Sequence, residues 1–260
     1  MIRVVILGSG NVAIHLAKGL NDATGAELVQ YYSRSDRNNS YFPATITRTD
    51  NLDQLEEADL YIIAVKDEAV EGIGSNLAGR GGLVVHTAGG ISIDALAACP
   101  RRGVFYPVQT FSKDRALDWS GTPLALETAL PEDMVFLKNF ASMFSEKVFE
   151  IDSPGRRNLH LAAVFANNFS NHMFTLSKEV CLEHGLPFEL VKPLILETAK
   201  KVMVLAPEDA QTGPARRLDG AVMSEQSARL DEEKKEIYTL LSDSIGRRYS
   251  SEKQNSSKKK

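Results

Sequence analysis

Residues 8–13 read Gly8-Ser9-Gly10-Asn11-Val12-Ala13, a G-x-G-x-x-A spacing. Glycines two apart let the chain turn tightly and bring backbone N–H groups against a ligand. A small residue three further on lets the next helix lie close to the preceding strand. The first turn of that helix carries N–H groups without intrahelical partners, which suit a phosphate or pyrophosphate. Before the turn comes an apolar run, Ile2 and Val4 to Leu7, with Arg3 its only charge; after it Ile14, Leu16, Ala17 and Leu20 recur at helical spacing. A glycine pair alone marks many ordinary turns. Between a buried strand and an amphipathic helix it indicates a dinucleotide site, with Gly8, Ser9, Gly10, Asn11 and Val12 as its contacts.

Further residues extend that site. Dinucleotide sites often place a carboxylate on the adenosine ribose at the end of the second strand, about 20 residues past the glycines. Here Ser33-Arg34-Ser35 stands in that region. A guanidinium flanked by hydroxyls suits a 2′-phosphate that a carboxylate would repel, which favours NADP over NAD. The alternative reading makes Arg34 a solvated loop residue and gives the ribose to Asp36. Ala64, Val65 and Lys66 end the fourth strand and Thr87 and Ala88 the fifth, where open α/β sheets hold ligands. Lys66 is either a cofactor or substrate contact or a surface lysine beside Asp67 and Glu68. Gln109 and Thr110 follow Pro107 as either crevice-facing polar groups or a structural turn.

A second set lies on a long helical stretch. Arg156, His160, Asn168 and His172 recur at steps of four, interrupted by Val164, among the apolar Leu159, Ala163, Phe165, Phe169 and Met173. A polar line on an otherwise apolar helix faces water or a ligand cleft. In the cleft, His160 is the leading acid/base group, because imidazole titrates near neutrality, and Asn168 orients a carbonyl or imine. The other reading is a plain solvent face. His15 and His184 read as structural or exposed. Arg217 either clamps a carboxylate or phosphate or pairs with Asp219 or a helix end.

The elements that position these residues follow from the apolar pattern. Runs at Glu27–Tyr32, Leu60–Val65, Leu83–His86, Val104–Tyr106, Pro123–Leu126 and Val148–Ile151 read as strands, with a short one near Ala44–Thr47. Alternating with helical segments, they predict an α/β fold with a doubly wound, Rossmann-type parallel sheet over residues 1–152. From Asp152-Ser153-Pro154 the pattern is helical. A first helix runs to His184, about 46 Å at helical rise. Others follow near Glu189–Leu205, bent at Pro193, near Asp219–Leu230 and over Glu232–Tyr249. Residues 153–249 thus form an all-helical second domain, and residues 250–260 a disordered tail.

Composition narrows the function. The 260 residues are 43% hydrophobic and 25% charged, ordinary for a soluble globular protein. The net charge is −4, and the tail holds four lysines and one glutamate, leaving the body near −7. An acidic body argues against nucleic acid as a partner. Cys99 and Cys181 stand far apart, with no Cys/His spacing that suggests a metal, and fit a reducing compartment. No apolar run reaches membrane-spanning length, and residues 1–20 hold the glycine turn rather than a signal peptide. A cytoplasmic protein with no membrane association is expected.

The strand ends Ala64-Val65-Lys66 and Thr87-Ala88-Gly89-Gly90-Ile91-Ser92 resemble those of pyrroline-5-carboxylate reductases and deazaflavin-dependent NADP reductases. More closely, His86-Thr87, Tyr106-Pro107-Val108-Gln109-Thr110-Phe111 and Thr212-Gly213-Pro214, followed by Arg217 and Asp219, resemble one group of bacterial oxidoreductase-like proteins. That group joins a Rossmann-like N-terminal domain to a helical C-terminal domain of unknown function, and the resemblance runs to about residue 249. It implies NADP binding, a homodimer built through the helical domain and an active cleft between domains. Related hydroxyacid dehydrogenases carry Lys-x-x-x-Asn on the long helix, with the lysine as proton donor. Here Val164 stands four residues before Asn168, and Ala163 four before Asn167, so that lysine is absent.

The expectation is an NADP-dependent oxidoreductase that moves a hydride to or from a small polar, anionic substrate in the cleft. His160 would be the acid/base, with Asn168, Gln109, Thr110 and Arg217 around the substrate. Two rivals remain: a non-catalytic NADP-binding sensor, favoured by the missing lysine, and an imine reductase.

Overall fold

The computed structural model describes residues 1–35 and 39–257. Asp36, the alternative ribose ligand, and the lysine cluster 258–260 lie outside the described residues. The chain divides into two compact units, Met1–Asn168 and Phe169–Lys260.

In the first unit the elements follow in the order β1 (Ile2–Leu7), α1 (Asn11–Asp22), β2 (Ala26–Tyr32), β3 (Thr47–Thr49), β4 (Leu60–Ile63) and α2 (Val70–Asn76). Then come β5 (Leu83–His86), β6 (Arg102–Pro107), β7 (Leu124–Thr128), α3 (Pro131–Ala141), β8 (Val148–Glu150) and α4 (Ser153–Ala163). The strands form one sheet in the order β3-β2-β1-β4-β5-β6-β7-β8. From β1 the chain winds first to β2 and then back past β1 to β4, so the winding direction reverses between β1 and β4. Ligands of open α/β sheets bind at that reversal, outside the carboxyl ends of the strands.

The sheet is mixed rather than wholly parallel. Every pair from β3 to β6 runs parallel, but β7 is antiparallel to β6, and β8 is again parallel to β7. The reason lies in the connections. Residues 108–123, between β6 and β7, contain no crossover helix, so the strand returns beside its predecessor, whereas α3 carries the chain across from β7 to β8.

Strand alternation divides the core. Val4 and Ile6 pack with Ala13, Ile14 and Leu16 of α1 and Leu137 and Phe140 of α3. Val5 and Leu7 pack on the other side with Tyr61, Ile63, Val70 and Leu77. Burying each such side chain contributes roughly 1.5–3 kcal/mol, and a strand covered on both faces therefore reads as an unbroken apolar run.

Helix α4 starts at Asp152, whose carboxylate caps it by accepting from Gly155 N at 2.8 Å, with Pro154 in the first turn. The uninterrupted α-helix expected to run on to His184 instead has a π-helical segment at Val164–Phe169.

In the second unit the helices are α5 (Ser170–Glu183), α6 (Lys192–Val202), α7 (Pro207–Ala210), α8 (Pro214–Arg217), α9 (Gly220–Ser227) and α10 (Glu232–Ser257). Pro193 does not bend a helix; it sits in the first turn of α6, where its missing N–H costs nothing. Asp219 caps α9 by accepting from Val222 N at 3.3 Å. Helix α10 continues into the Ser250–Lys260 tail as far as Ser257. Among the described residues no helix is long and apolar enough to cross a membrane.

Candidate functional site

A cavity of about 550 Å³ opens at the reversal point of the sheet. Its lining includes Gly8, Ser9, Gly10, Asn11 and Val12 from the β1–α1 turn, and Ser33, Arg34 and Ser35 after β2. Ala64, Val65 and Lys66 after β4 and Thr87 after β5 complete the predicted set. Ala88 is not part of the lining. Its N–H instead donates back to His86 Nδ1 at 3.2 Å.

The two glycines have different physical tasks. Gly8 has φ +135°, and a Cβ there would stand 2.1 Å from the Ala64 carbonyl oxygen. It is needed for the close approach of the turn to β4. Gly10 has an ordinary φ of −78° and is the N-cap of α1. A Cβ on Gly10 would meet no protein atom within 4 Å, so the space beside it belongs to the cavity. The cavity thus combines free helix N–H groups at one wall with the Arg34 and Lys66 cations at others, a set that can hold two separate phosphates.

Ser33 ties two walls together. Its hydroxyl donates to Ser35 O at 2.7 Å and lies 2.8 Å from Ser9 Oγ, linking the β2 end to the glycine turn. Arg48 of β3, not singled out in the sequence, donates to Ser33 O at 2.8 Å and fixes the loop carrying Arg34. Helix α1 also holds the segment after β6. Asn11 Nδ2 donates to Phe111 O at 2.7 Å, and the buried His15 donates through Nε2 to Ser112 O at 2.8 Å. His15 is structural, as its place in the first helix suggested.

A second cavity, of about 410 Å³, lies at the carboxyl end of β6. Tyr106, Val108, Gln109 and Thr110 form one side, and Leu159, His160, Ala163, Ala166, Asn167 and Asn168 the other. Four of the residues assigned to chemistry, His160, Asn168, Gln109 and Thr110, therefore meet in one place. Gln109 Oε1 accepts from Thr110 N at 2.8 Å. The π turn helps gather the helix residues. Eight residues at α-helical winding would set Asn168 well off the His160 face, whereas the wider π turn brings positions four apart nearer the same line. Arg217 lies in the second unit, exposed at the end of α8. His172 is exposed on α5.

The expected polar ridge is altered at its first member. Arg156 is not a cleft residue but fully buried. Its guanidinium pairs with Glu127 of β7, donates to Ile91 O, and lies 3.1 Å from Ser153 Oγ. A buried cation requires such partners. The knot pins α4 and the loop after β5 to the sheet one turn before His160. Meanwhile Leu161, Phe165 and Phe169 are exposed, so the apolar side of this stretch is the uncovered one.

Tyr106 is the group that the sequence reading missed. Its hydroxyl lies 3.1 Å from His160 Nδ1, with the rings edge to face at 6.0 Å. Burial pushes the phenol above its ordinary range, with the Arg156 charge opposing. Strand alternation does carry a signal for it, because Tyr106 shares a face with Val104, opposite to Phe105. Gly89 fits against this pair: a Cβ there would meet Tyr106 Cζ at 2.7 Å and His160 Nδ1 at 2.8 Å. The loop after β5 therefore connects the two cavities, with Thr87 in the wall of the first and Gly89 against the histidine of the second. Nearby, His86 is buried, and desolvation together with the Arg156 charge lowers it to about 4, so it stays neutral near pH 7.

Comparison with known proteins agrees with this architecture. Residues 3–90 match the family model "NADP oxidoreductase coenzyme F420-dependent". Residues 122–245 match "Domain of unknown function (DUF2520)". A Bacteroides fragilis protein whose crystal structure is described as a "putative NADP oxidoreductase" is 40% identical. The match covers 95% of this chain and 98% of that one, with a TM-score of 0.88. The Thermotoga maritima protein TM1727 is 22% identical over 96% of this chain and 99% of its own, with a TM-score of 0.71. The Plasmodium falciparum pyrroline carboxylate reductase, solved with NADP bound, shares the fold at 15% identity, 94% and 98% coverage and a TM-score of 0.62. No curated protein matches the chain. The chain belongs to the NADP oxidoreductase family that couples a Rossmann-like N-terminal domain to a DUF2520 helical region.

Proposed function

We propose that this protein is an NADP(H)-dependent oxidoreductase acting on a small polar substrate. The carrying observation is the adjacency of two cavities, one at the glycine turn and one at His160, across the loop Thr87–Gly90. The 550 Å³ cavity fits the cofactor by its donors. N–H groups of the first turn of α1 would hold the pyrophosphate, and Ser33, Arg34 and Ser35 the 2′-phosphate. When bound, NADPH supplies a hydride at its nicotinamide ring. Thr87 and the loop after β5 would border that ring. His160 would exchange a proton with the reacting oxygen, and Asn168, Gln109 and Thr110 would orient the substrate. The test is NADPH oxidation by the full-length chain with panels of 2-oxo acids, aldehydes, ketones and cyclic imines. Turnover on one panel supports the enzyme; tight cofactor binding with no turnover on any of them favours the sensor.

The cofactor reading makes its own prediction. Arg34→Ala is expected to weaken NADPH about 10–100-fold and NADH by less than about twofold, since only NADPH carries the 2′-phosphate. Calorimetric titration of both nucleotides measures the ratio, and equal losses would contradict the NADP assignment.

We also propose a homodimer through the helical unit. Its support is the uncovered apolar surface there: Leu182, Leu186, Leu194, Met203, Leu240 and Leu241 are all exposed. Exposed apolar groups in such number mark an interface. Light scattering of the pure protein should give twice the 28.5 kDa chain mass. A monomer at micromolar concentration would refute it.

A further inference from the structure

We propose that Tyr106 fixes the protonation pattern of His160, donating its O–H to Nδ1 and so leaving the ring proton on Nε2, and that the substrate atom received there is an uncharged acceptor, a carbonyl oxygen or an imine nitrogen, and not an iminium. The proposal rests on the reading of His160 as the group that faces the substrate. The donor direction follows from counting. Tyr106 is only 8% exposed, and among the described residues its hydroxyl has His160 Nδ1 as its one hydrogen-bond partner. Were Nδ1 to carry the proton, the phenol would accept that bond and its own O–H would have no protein acceptor among the described residues. Were the phenol to donate, both groups are satisfied. Its raised affinity for its proton, caused by burial, keeps that proton available throughout the neutral range.

The consequence concerns the ligand. Nδ1 is turned to Tyr106 and Gly89, on the sheet side, so the Nε2 proton is the one available to a bound molecule. An N–H donor matches an acceptor, either a carbonyl oxygen or the lone pair of an uncharged imine nitrogen. It does not match an iminium nitrogen, which is a cation with no lone pair to offer. The cavity lining agrees, for among the described residues it holds Gln109, Thr110, Asn167 and Asn168 but no aspartate or glutamate to balance an iminium charge. Tyr106 is thus a positioning residue, acting on substrate through His160, and Gly89 is the small residue that admits the pair.

The direct test reads the tautomer and not the activity. Long-range proton–nitrogen spectra of the isotope-labelled full-length protein, recorded over a rising pH series until the ring-nitrogen signals no longer change, distinguish a protonated from a bare ring nitrogen. His160 signals are assigned by their loss in His160→Gln. The expected wild-type pattern is a bare Nδ1 and a protonated Nε2, collapsing towards an averaged pair in Tyr106→Phe. A protonated Nδ1 in the wild type, or a pattern unchanged by Tyr106→Phe, would overturn the proposal. In the substrate panels, Tyr106→Phe should lower kcat for ketones or aldehydes at least about tenfold with KM for NADPH unchanged. Turnover of an N-methyl cyclic iminium salt at the rate of the uncharged substrates would overturn the assignment of an uncharged acceptor. If NADPH fails to bind while the tautomer pattern holds, the oxidoreductase reading fails and the Tyr106–His160 arrangement stands.

Discussion

Gly10→Val is expected to lower NADPH affinity by more than about 100-fold while costing less than about 1 kcal/mol of stability, near the ordinary cost of a poor N-cap residue. The backbone at Gly10 is one that any residue adopts, and a Cβ there meets nothing within 4 Å. Valine's methyl groups would therefore project into the cavity and occupy the space proposed for the pyrophosphate. The neighbouring glycine is expected to behave in the opposite way. Gly8→Ala places a methyl 2.1 Å from the Ala64 carbonyl oxygen and demands φ +135° of an alanine. Strain and overpacking together should cost about 3 kcal/mol or more, read as a lower urea midpoint or as loss of folded protein. Calorimetric titration and urea unfolding of the two variants separate the tasks. Unimpaired NADPH binding by Gly10→Val would remove the cofactor from this turn.

His160→Ala is expected to lower turnover about 10²–10⁴-fold, the range for loss of an acid/base group, with the NADPH dissociation constant unchanged within about twofold. The split follows from position, since His160 lines the second cavity and not the first. Removing the imidazole also strands the Tyr106 hydroxyl, which can cost about 1–3 kcal/mol. His160→Gln is the control, since its side-chain carbonyl can still accept from the phenol while no group titrates near neutrality. Both variants should lose turnover to that extent, and the glutamine form should be more stable. Wild-type turnover in either would place the acid/base group elsewhere.

Much of this was legible in the sequence for definable reasons. Strands buried on both faces announce themselves as unbroken apolar runs, as at Leu60–Ile63, and the glycine turn takes its meaning from the strand and helix on either side of it. The antiparallel β7 was not legible, because strand direction depends on the absence of a crossover helix in residues 108–123 and not on β7 itself. Arg156 and His160 stand one turn apart and look alike as polar helix residues. Only the three-dimensional approach of Glu127, 29 positions earlier, sends one into the interior and leaves the other at a cavity. The π turn at Val164–Phe169 has no propensity signature, and it changes which residues share the His160 line. Tyr106 was passed over because a tyrosine ending a buried strand reads as core, although its hydroxyl meets the one imidazole assigned to chemistry.

The central claim is that one nucleotide lies along the β1–α1 turn with its reactive ring beside the loop after β5. A crystal structure of the protein soaked with NADP⁺ measures this directly. The account predicts the pyrophosphate on the N–H groups of the first turn of α1, the 2′-phosphate at Arg34, and the nicotinamide against Thr87 on the side of His160. A nucleotide bound away from Gly10, or a nicotinamide turned away from His160, would contradict it.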